Sequence, residues 1–479
     1  MPVPPLLPDS RRWLTLGLVG CSVAVGPLDT AVNIAFPAIT TAFDIAVPTI
    51  QWVVICYVLT YASLLLGCGR LADILGHKRV FLWGLWWSAG SLLLCGLAPS
   101  FGWLLVFRGC QGIGIALVLS CGPALATLSF DETERGRILG FYTMLVATAS
   151  TLGPLLGGLL VQRWGWPAVF FFRAPIALVA ALLVTWLVRQ PVDIKPGQRF
   201  DAIGAVTLTL SLIGFLLAFN RGNDLGWLSG PTLGLAAAAC ACLGWFIWQE
   251  QHCAEPVIDL ALFRYAAFAI ANLAHTLLHL ASFTVLLLVP YYLLNYQQAS
   301  VRAGGVVLAA APLGTMLASP LGGRLLAHYT GYRLSLIGLA CSTCALVGVS
   351  QWQAATPAGM VMAILFVQGV GLGLFQVANM DFVMGTIPRQ QQGVAGSLTM
   401  LTRTIGVVSG AALGSLLFGL LQPHYAAALQ ATGVTAASVD TQAFLLAFRG
   451  TFLAAAAVAA LAGLLMWASR FAVRPLSAT

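Results

Sequence analysis

Two ionisable residues stand inside runs that are otherwise apolar: Asp29 in the run 13–38 and Arg108 in the run 102–126. A charge in such surroundings is costly and defaults to a functional role. A buried carboxylate beside an arginine holds its charge, and when the arginine is displaced it can take a proton. The pair is therefore a proton-exchange switch or a fixed structural ion pair. With the N-terminus on the inner side, Asp29 lies ~14 Å below the outer end of its helix, at about 1.5 Å per residue. Arg108 lies ~9 Å below the outer start of its own helix by the same rise. Asn33 and Gln111 stand one helical turn from Asp29 and Arg108 and extend the polar face.

Other polar residues fall inside apolar runs. His275 and His279 are four apart and share a helix face. Histidine titrates near physiological pH, so they form a second proton site, contact a substrate, or bond across helices. Further ligands for a metal are absent from their surroundings. Arg403 lies within 394–421, and Tyr57 and Tyr61 are four apart within 49–68. Together with Asn33, Gln111, Gln376 and Asn379, these residues are candidates to line a substrate cavity. Nearly all of the eleven cysteines sit in apolar runs and read as small hydrophobes.

The elements that position these groups are membrane spans. Of 479 residues, 59% are hydrophobic and 8% charged, with a mean hydropathy of +0.91. A soluble chain carries about a quarter charged residues. A bilayer core takes about 20 apolar residues per helix. Fourteen runs qualify: 13–38, 49–68, 80–98, 102–126, 138–161, 167–188, 203–219, 232–248, 266–294, 304–327, 334–350, 358–380, 394–421 and 445–469. Arg11 and Arg12 imitate a signal sequence, but the run behind them outlasts a signal core of about 7–15 residues. It reads as an uncleaved first span.

Alternating the sides from a cytoplasmic N-terminus puts sixteen Lys and Arg inside and five outside, Arg173 among the five. That bias sets the orientation and supports an even number of helices. The net charge of +8 is scattered singly, which argues against a nucleic-acid partner. No phosphate-binding Gly-x-x-x-x-Gly-Lys-Ser/Thr loop appears, so no nucleotide cofactor is expected.

Two segments echo each other. The stretch Gly69–Arg79, carrying Asp73, Gly76 and Lys78, returns as Gly323–Arg333, and Gly153–Gly158 returns at Gly406–Gly414, both at an offset of about 254. One shared offset indicates a duplicated six-helix unit with two helices inserted. The expected organisation is an N-terminal half (1–200), an inserted helix pair (201–262) and a C-terminal half (263–479).

At this point the chain resembles the major facilitator superfamily, and within it the fourteen-helix drug:proton antiporters. Gly69, Asp73, Gly76, Lys78 and Arg79 match the signature loop, which in the family latches the two halves in one state. Positive-inside anchoring by Lys78 and Arg79 is the plainer account of that loop. Gly153, Pro154, Gly157 and Gly158 match the helix-5 motif of the antiporters. Their bare face would permit close packing against the other half, or serve ordinary helix packing. Leu105 to Gly114 matches the helix-4 motif, and 201–263 resembles the extra helix pair. The helix-1 run from Leu28 to Pro37 is one residue shorter than the family's, which turns Asp29 by ~100° relative to Asn33. Arg173 stands where the family often has Asn.

The resemblance implies an all-α major facilitator fold in the cell inner membrane, with both termini cytoplasmic. It implies efflux of small amphipathic compounds against protons, with the proton gradient as energy source and no cofactor or metal. The lipid bilayer, protons and a small-molecule substrate are the expected partners, and a periplasmic adaptor is left open. An importer of a small nutrient is the alternative within transport, and a membrane-embedded sensor or enzyme the alternative from another class.

Overall fold

A computed structural model describes residues 9–127, 135–188, 202–225, 229–252, 260–387, 392–431 and 436–468. All regular structure among them is helical. This follows from the composition: in lipid, backbone polar groups must be satisfied within the segment itself, which a helix does.

The helices run in chain order as α1 (Asp9–Val23), α2 (Ala31–Phe43), α3 (Gln51–Leu75), α4 (His77–Gly96), α5 (Phe101–Thr127), α6 (Arg135–Trp164), α7 (Ala168–Phe171) and α8 (Arg173–Leu187). They continue as α9 (Ala202–Leu225), α10 (Gly230–His252), α11 (Ala266–Tyr291), α12 (Val301–Leu308), α13 (Ala310–Leu325), α14 (Gly331–Ser350), α15 (Ala358–Thr386), α16 (Gln392–Ala431) and α17 (Ala436–Ala468).

Among the described residues, twelve stretches are long and apolar enough to cross a membrane. Run lengths in the sequence supply fourteen candidates, and twelve of them overlap these stretches. The other two, 80–98 and 203–219, fall on α4 and α9. Three tryptophans (Trp83, Trp86, Trp87) and interspersed Gly and Ser lower the hydropathy of α4 although it is 20 residues long. In α9 the strongly apolar part is only Val206–Phe215.

The chain divides into two compact units. The first comprises Met1–Phe43, Trp52–Thr209 and Cys253–Val257; the second comprises Asp44–Gln51, Leu210–His252 and Ile258–Thr479.

Each unit is fastened by helices that meet where side chains are missing. In the first, a Cβ on Gly84 of α4 would strike the Gly114 carbonyl of α5, and one on Gly114 would strike Ser88. In the second, Gly338 of α14 stands in the same way against Gly371 of α15, and Gly371 against Ser342. Gly338 and Ser342 lie 254 positions after Gly84 and Ser88, the offset of the sequence echoes. Small residues let helix backbones approach this closely.

A second seam repeats as well. Gly153 and Gly157 of α6 pack on Thr30, Ala31 and Ile34, while Gly406 and Gly410 of α16 pack on Thr276 and Leu280 of α11. A threonine hydroxyl crosses each contact: Thr30 Oγ1 lies 2.9 Å from the Ser150 carbonyl, and Thr276 Oγ1 lies 3.1 Å from the Thr402 carbonyl. The glycine face of α6 thus turns to the chain's own first span. This is helix packing within the first unit, one of the two roles open to these glycines. The reason is steric, since the glycines are the positions where the 29–34 backbone can come near. Pro154 is buried within an α6 that continues to Trp164, and Gly158 is buried beside it.

The first span is not one helix. Gly26 and Pro27 interrupt it, and a 3-10 turn, Pro27–Thr30, joins α1 to α2. Proline lacks the N–H that would continue the ladder. Asp29 sits on this turn, so its direction is set by the break rather than by the 100° step of a continuous helix.

Candidate functional site

The break in the first span aims Asp29 into the interior of the first unit. Arg108 reaches it from the first third of α5 and forms a bidentate pair, Nη1 to Oδ1 at 2.6 Å and Nη2 to Oδ2 at 2.7 Å. The same guanidinium donates from Nε to the Val53 carbonyl at 2.7 Å and from Nη1 to Gln111 Oε1 at 2.7 Å. Gln111 returns a longer contact from Nε2 to Asp29 Oδ1, at 3.4 Å. The Tyr57 ring lies beneath the guanidinium, 4.3 Å from its carbon, and Tyr61 meets Tyr57 edge-on at 5.3 Å. A planar fork on a carboxylate with an aromatic face beneath it is a role that arginine fills and lysine does not.

A second arginine joins them. Arg173 opens α8 and donates from Nη1 to Asp29 Oδ1 at 2.7 Å, while its Nε holds the Val169 carbonyl at 3.0 Å. Both arginine side chains are 0% exposed, and that of Asp29 is 14% exposed. By charge placement alone Arg173 counts among the outer charges; the structure buries it. Its position, six residues into the run 167–188, equals the depth of Arg108 within its own run, and that was the available signal. Two guanidiniums and one carboxylate leave one uncompensated positive charge.

The second unit gathers a neutral cluster. His279 Nδ1 lies 2.9 Å from the His275 carbonyl, and Gln376 Nε2 lies 3.2 Å from His279 Nε2. A carbonyl only accepts, so His279 carries its proton on Nδ1 and accepts from Gln376 at Nε2. His275 Nδ1 is 3.2 Å from the Thr399 carbonyl of α16. The two rings meet edge-on at 4.5 Å. Thr402 donates to Asn272 Oδ1 at 3.0 Å, and Gln368 donates to Ser282 at 3.1 Å. Arg403, next along α16, is exposed. Asn379 is fully buried, and neither side-chain amide atom is hydrogen-bonded among the described residues. Among the described residues no cluster of His, Cys, Asp and Glu could hold a metal.

Asn33 is buried in α2. Gly76 takes φ +93° in the tight joint between α3 and α4, a conformation that glycine adopts readily. Lys78 Nζ donates to the Thr185 carbonyl at the end of α8, at 3.0 Å. Arg79 is exposed and Gly69 has open space around it. The Asp73 side chain lies outside the described residues.

The model of the Major Facilitator Superfamily matches residues 14–268 and 271–479. The chain belongs to the Major Facilitator Superfamily. Among curated relatives, the multidrug resistance protein Stp of Mycobacterium tuberculosis is 29% identical over 423 residues, covering 87% of this chain and 78% of Stp. The methylenomycin A resistance protein of Streptomyces coelicolor is 30% identical over 426 residues, covering 88% and 89%. The riboflavin transporter RibZ of Clostridioides difficile is 27% identical over 410 residues, covering 85% and 88%. A solved bacterial homolog of the human lysosomal transporter Spinster, inward-facing and occupied, superposes with a TM-score of 0.70 at 15% identity, covering 98% of both chains. The protein is thus a multi-pass membrane member of the Major Facilitator Superfamily.

Proposed function

We propose that the chain is a proton-driven efflux transporter that exports drugs or other small amphipathic compounds by alternating access. The observation that carries this reading is the buried Asp29–Arg108 pair, a carboxyl in the apolar interior that could take up and release a proton. While both arginines hold Asp29, it stays charged; when they withdraw, it takes a proton. The names of Stp and the methylenomycin A resistance protein support export. The proton gradient supplies the energy, with no bound cofactor, and His275 and His279 belong to the substrate-facing polar surface with Gln376.

The reading includes fourteen spans, the inserted pair at 201–262 and both termini in the cytoplasm of the inner membrane. Support comes from α4, whose 20 residues reach ~30 Å at about 1.5 Å per residue and expose Trp83, Trp86 and Trp87 by about half, as a lipid-facing surface would. The 24-residue α9 is equally long enough. Gly69, Asp73, Gly76, Lys78 and Arg79 then serve as the conformational latch, and Gly153 to Gly158 as the antiporter seam.

The test is drug-driven proton flux in everted vesicles, comparing the native protein with Asp29→Asn. The expected result is abolished exchange when flux is normalised to the amount of protein in the vesicles. Undiminished proton-coupled efflux by Asp29→Asn would sink the coupling role. RibZ favours a second reading, uptake of a small metabolite, and the direction of flux in the same vesicles separates the two.

A further inference from the structure

The N-terminal cluster has more positive charge than an ion pair needs. Arg108 alone balances the charge of Asp29 and engages both of its carboxylate oxygens. Arg173 adds a second full charge at the same carboxylate. Its Nε and Nη1 are occupied, by the Val169 carbonyl and by Asp29 Oδ1. Its Nη2 is buried and has no hydrogen-bond partner among the described residues. A charged donor left unpaired in the interior is strongly unfavourable. The cluster is thus short of one negative charge and one acceptor, both at the same guanidinium.

We propose that Arg173 is the recognition point for an anionic group on the transported compound, a carboxylate or a group of similar charge and shape. One such group supplies both missing features. It accepts from Nη2, and it brings the cluster from one net positive charge to zero. A cation brought to the same place would raise the net charge to two, so the cluster selects against cationic compounds. The partly exposed Asp29 side chain marks the edge through which the group approaches. In the ligand-binding state Arg108, with all three nitrogens engaged, keeps Asp29, and Arg173 is shared between Asp29 and the ligand. The proposal rests on the transporter reading above but concerns what binds rather than what drives transport.

The experiment uses the purified full chain in detergent, with deoxycholate as the anionic probe, its methyl ester as the neutral match and tetraphenylphosphonium as the cation. Equilibrium binding is measured for the native protein, Arg173→Gln and Arg173→Lys. The native protein should bind the acid roughly tenfold or more tightly than the ester, the scale of one charge-assisted hydrogen bond. Arg173→Gln should lose that preference while leaving ester binding within about twofold, and should bind tetraphenylphosphonium more tightly. Arg173→Lys should retain most of the preference. Retained ester binding by Arg173→Gln shows that the variant is folded. The proposal is overturned if the native protein binds the ester as well as the acid or binds neither. An equal loss of acid and ester binding in Arg173→Gln overturns it too. Native efflux that is indifferent to a protonophore would refute the proton-driven reading and leave this binding result standing.

Discussion

Removing the Asp29 carboxylate leaves two buried guanidiniums without a counter-ion. Breaking a buried pair from one side costs about 3–5 kcal/mol. Asp29→Ala should therefore lower the unfolding temperature in detergent markedly. Adding Arg173→Gln to Asp29→Ala should recover part of the loss, because it removes one of the two orphaned charges. An additive double variant, with no recovery, would show that the arginines do not act on one another through Asp29. The first half of this cluster is legible in the sequence, since Asp29, Arg108 and Gln111 are conspicuous in apolar runs. Arg173 is equally conspicuous, but it lies near a span's edge, where positive charges ordinarily anchor a helix to the interface. Only the packing of α8 against the broken first span distinguishes a buried arginine from an anchoring one. The neutral cluster behaves similarly: the spacing of His275 and His279 is readable, while their partner Gln376 lies 97 residues from His279 and no pattern joins them.

At the scale of elements, the glycine seams decide which helices touch. Gly84→Leu and Gly338→Leu should destabilise to a similar degree, about 1–3 kcal/mol as overpacking commonly costs, because each would push a facing backbone away. Gly90, on the same helix as Gly84, has open space around it. Gly90→Ala should be neutral or slightly stabilising, as alanine favours helix by about 1 kcal/mol over glycine. Thermal unfolding of the three variants side by side measures this. Equal tolerance of all three would mean that the seams do not fasten the units. The echo at Gly153–Gly158 is visible in the sequence because its glycines cluster. The Gly84–Ser88 seam is not, because a chain with 50 glycines offers too many pairs at that spacing, and only the partner helix picks one out.

For the whole molecule, the open quantity is the number of crossings. If α4 and α9 both span, residues 100 and 229 lie on the outer side. In a cysteine-free background, Ser100→Cys and Ser229→Cys should then react with a membrane-impermeant maleimide added to intact cells. Protection of residue 229 alone would remove α9 from the count and shift every later loop to the opposite side. Run lengths and hydropathy agree on the spans wherever leucine, isoleucine and valine dominate. They part at α4, which run length counts as 80–98 and hydropathy omits, because tryptophan provides a lipid-compatible surface that hydropathy scales rate poorly. The two units also differ in kind: their seams repeat, but the carboxylate and its arginines belong to the first and the histidines to the second. Where Gly84 meets Gly114 and Gly338 meets Gly371, the seams of α4 with α5 and of α14 with α15 are made from glycine, serine and apolar side chains. Those contacts hold nothing that acidity can titrate or salt can screen. At its end, by contrast, the α14–α15 seam sets Gly331 against the Asp381 carboxylate. The close-packed middle of the frame is therefore deaf to a proton gradient, and a change in proton concentration is felt only where the sequence has placed a group able to respond.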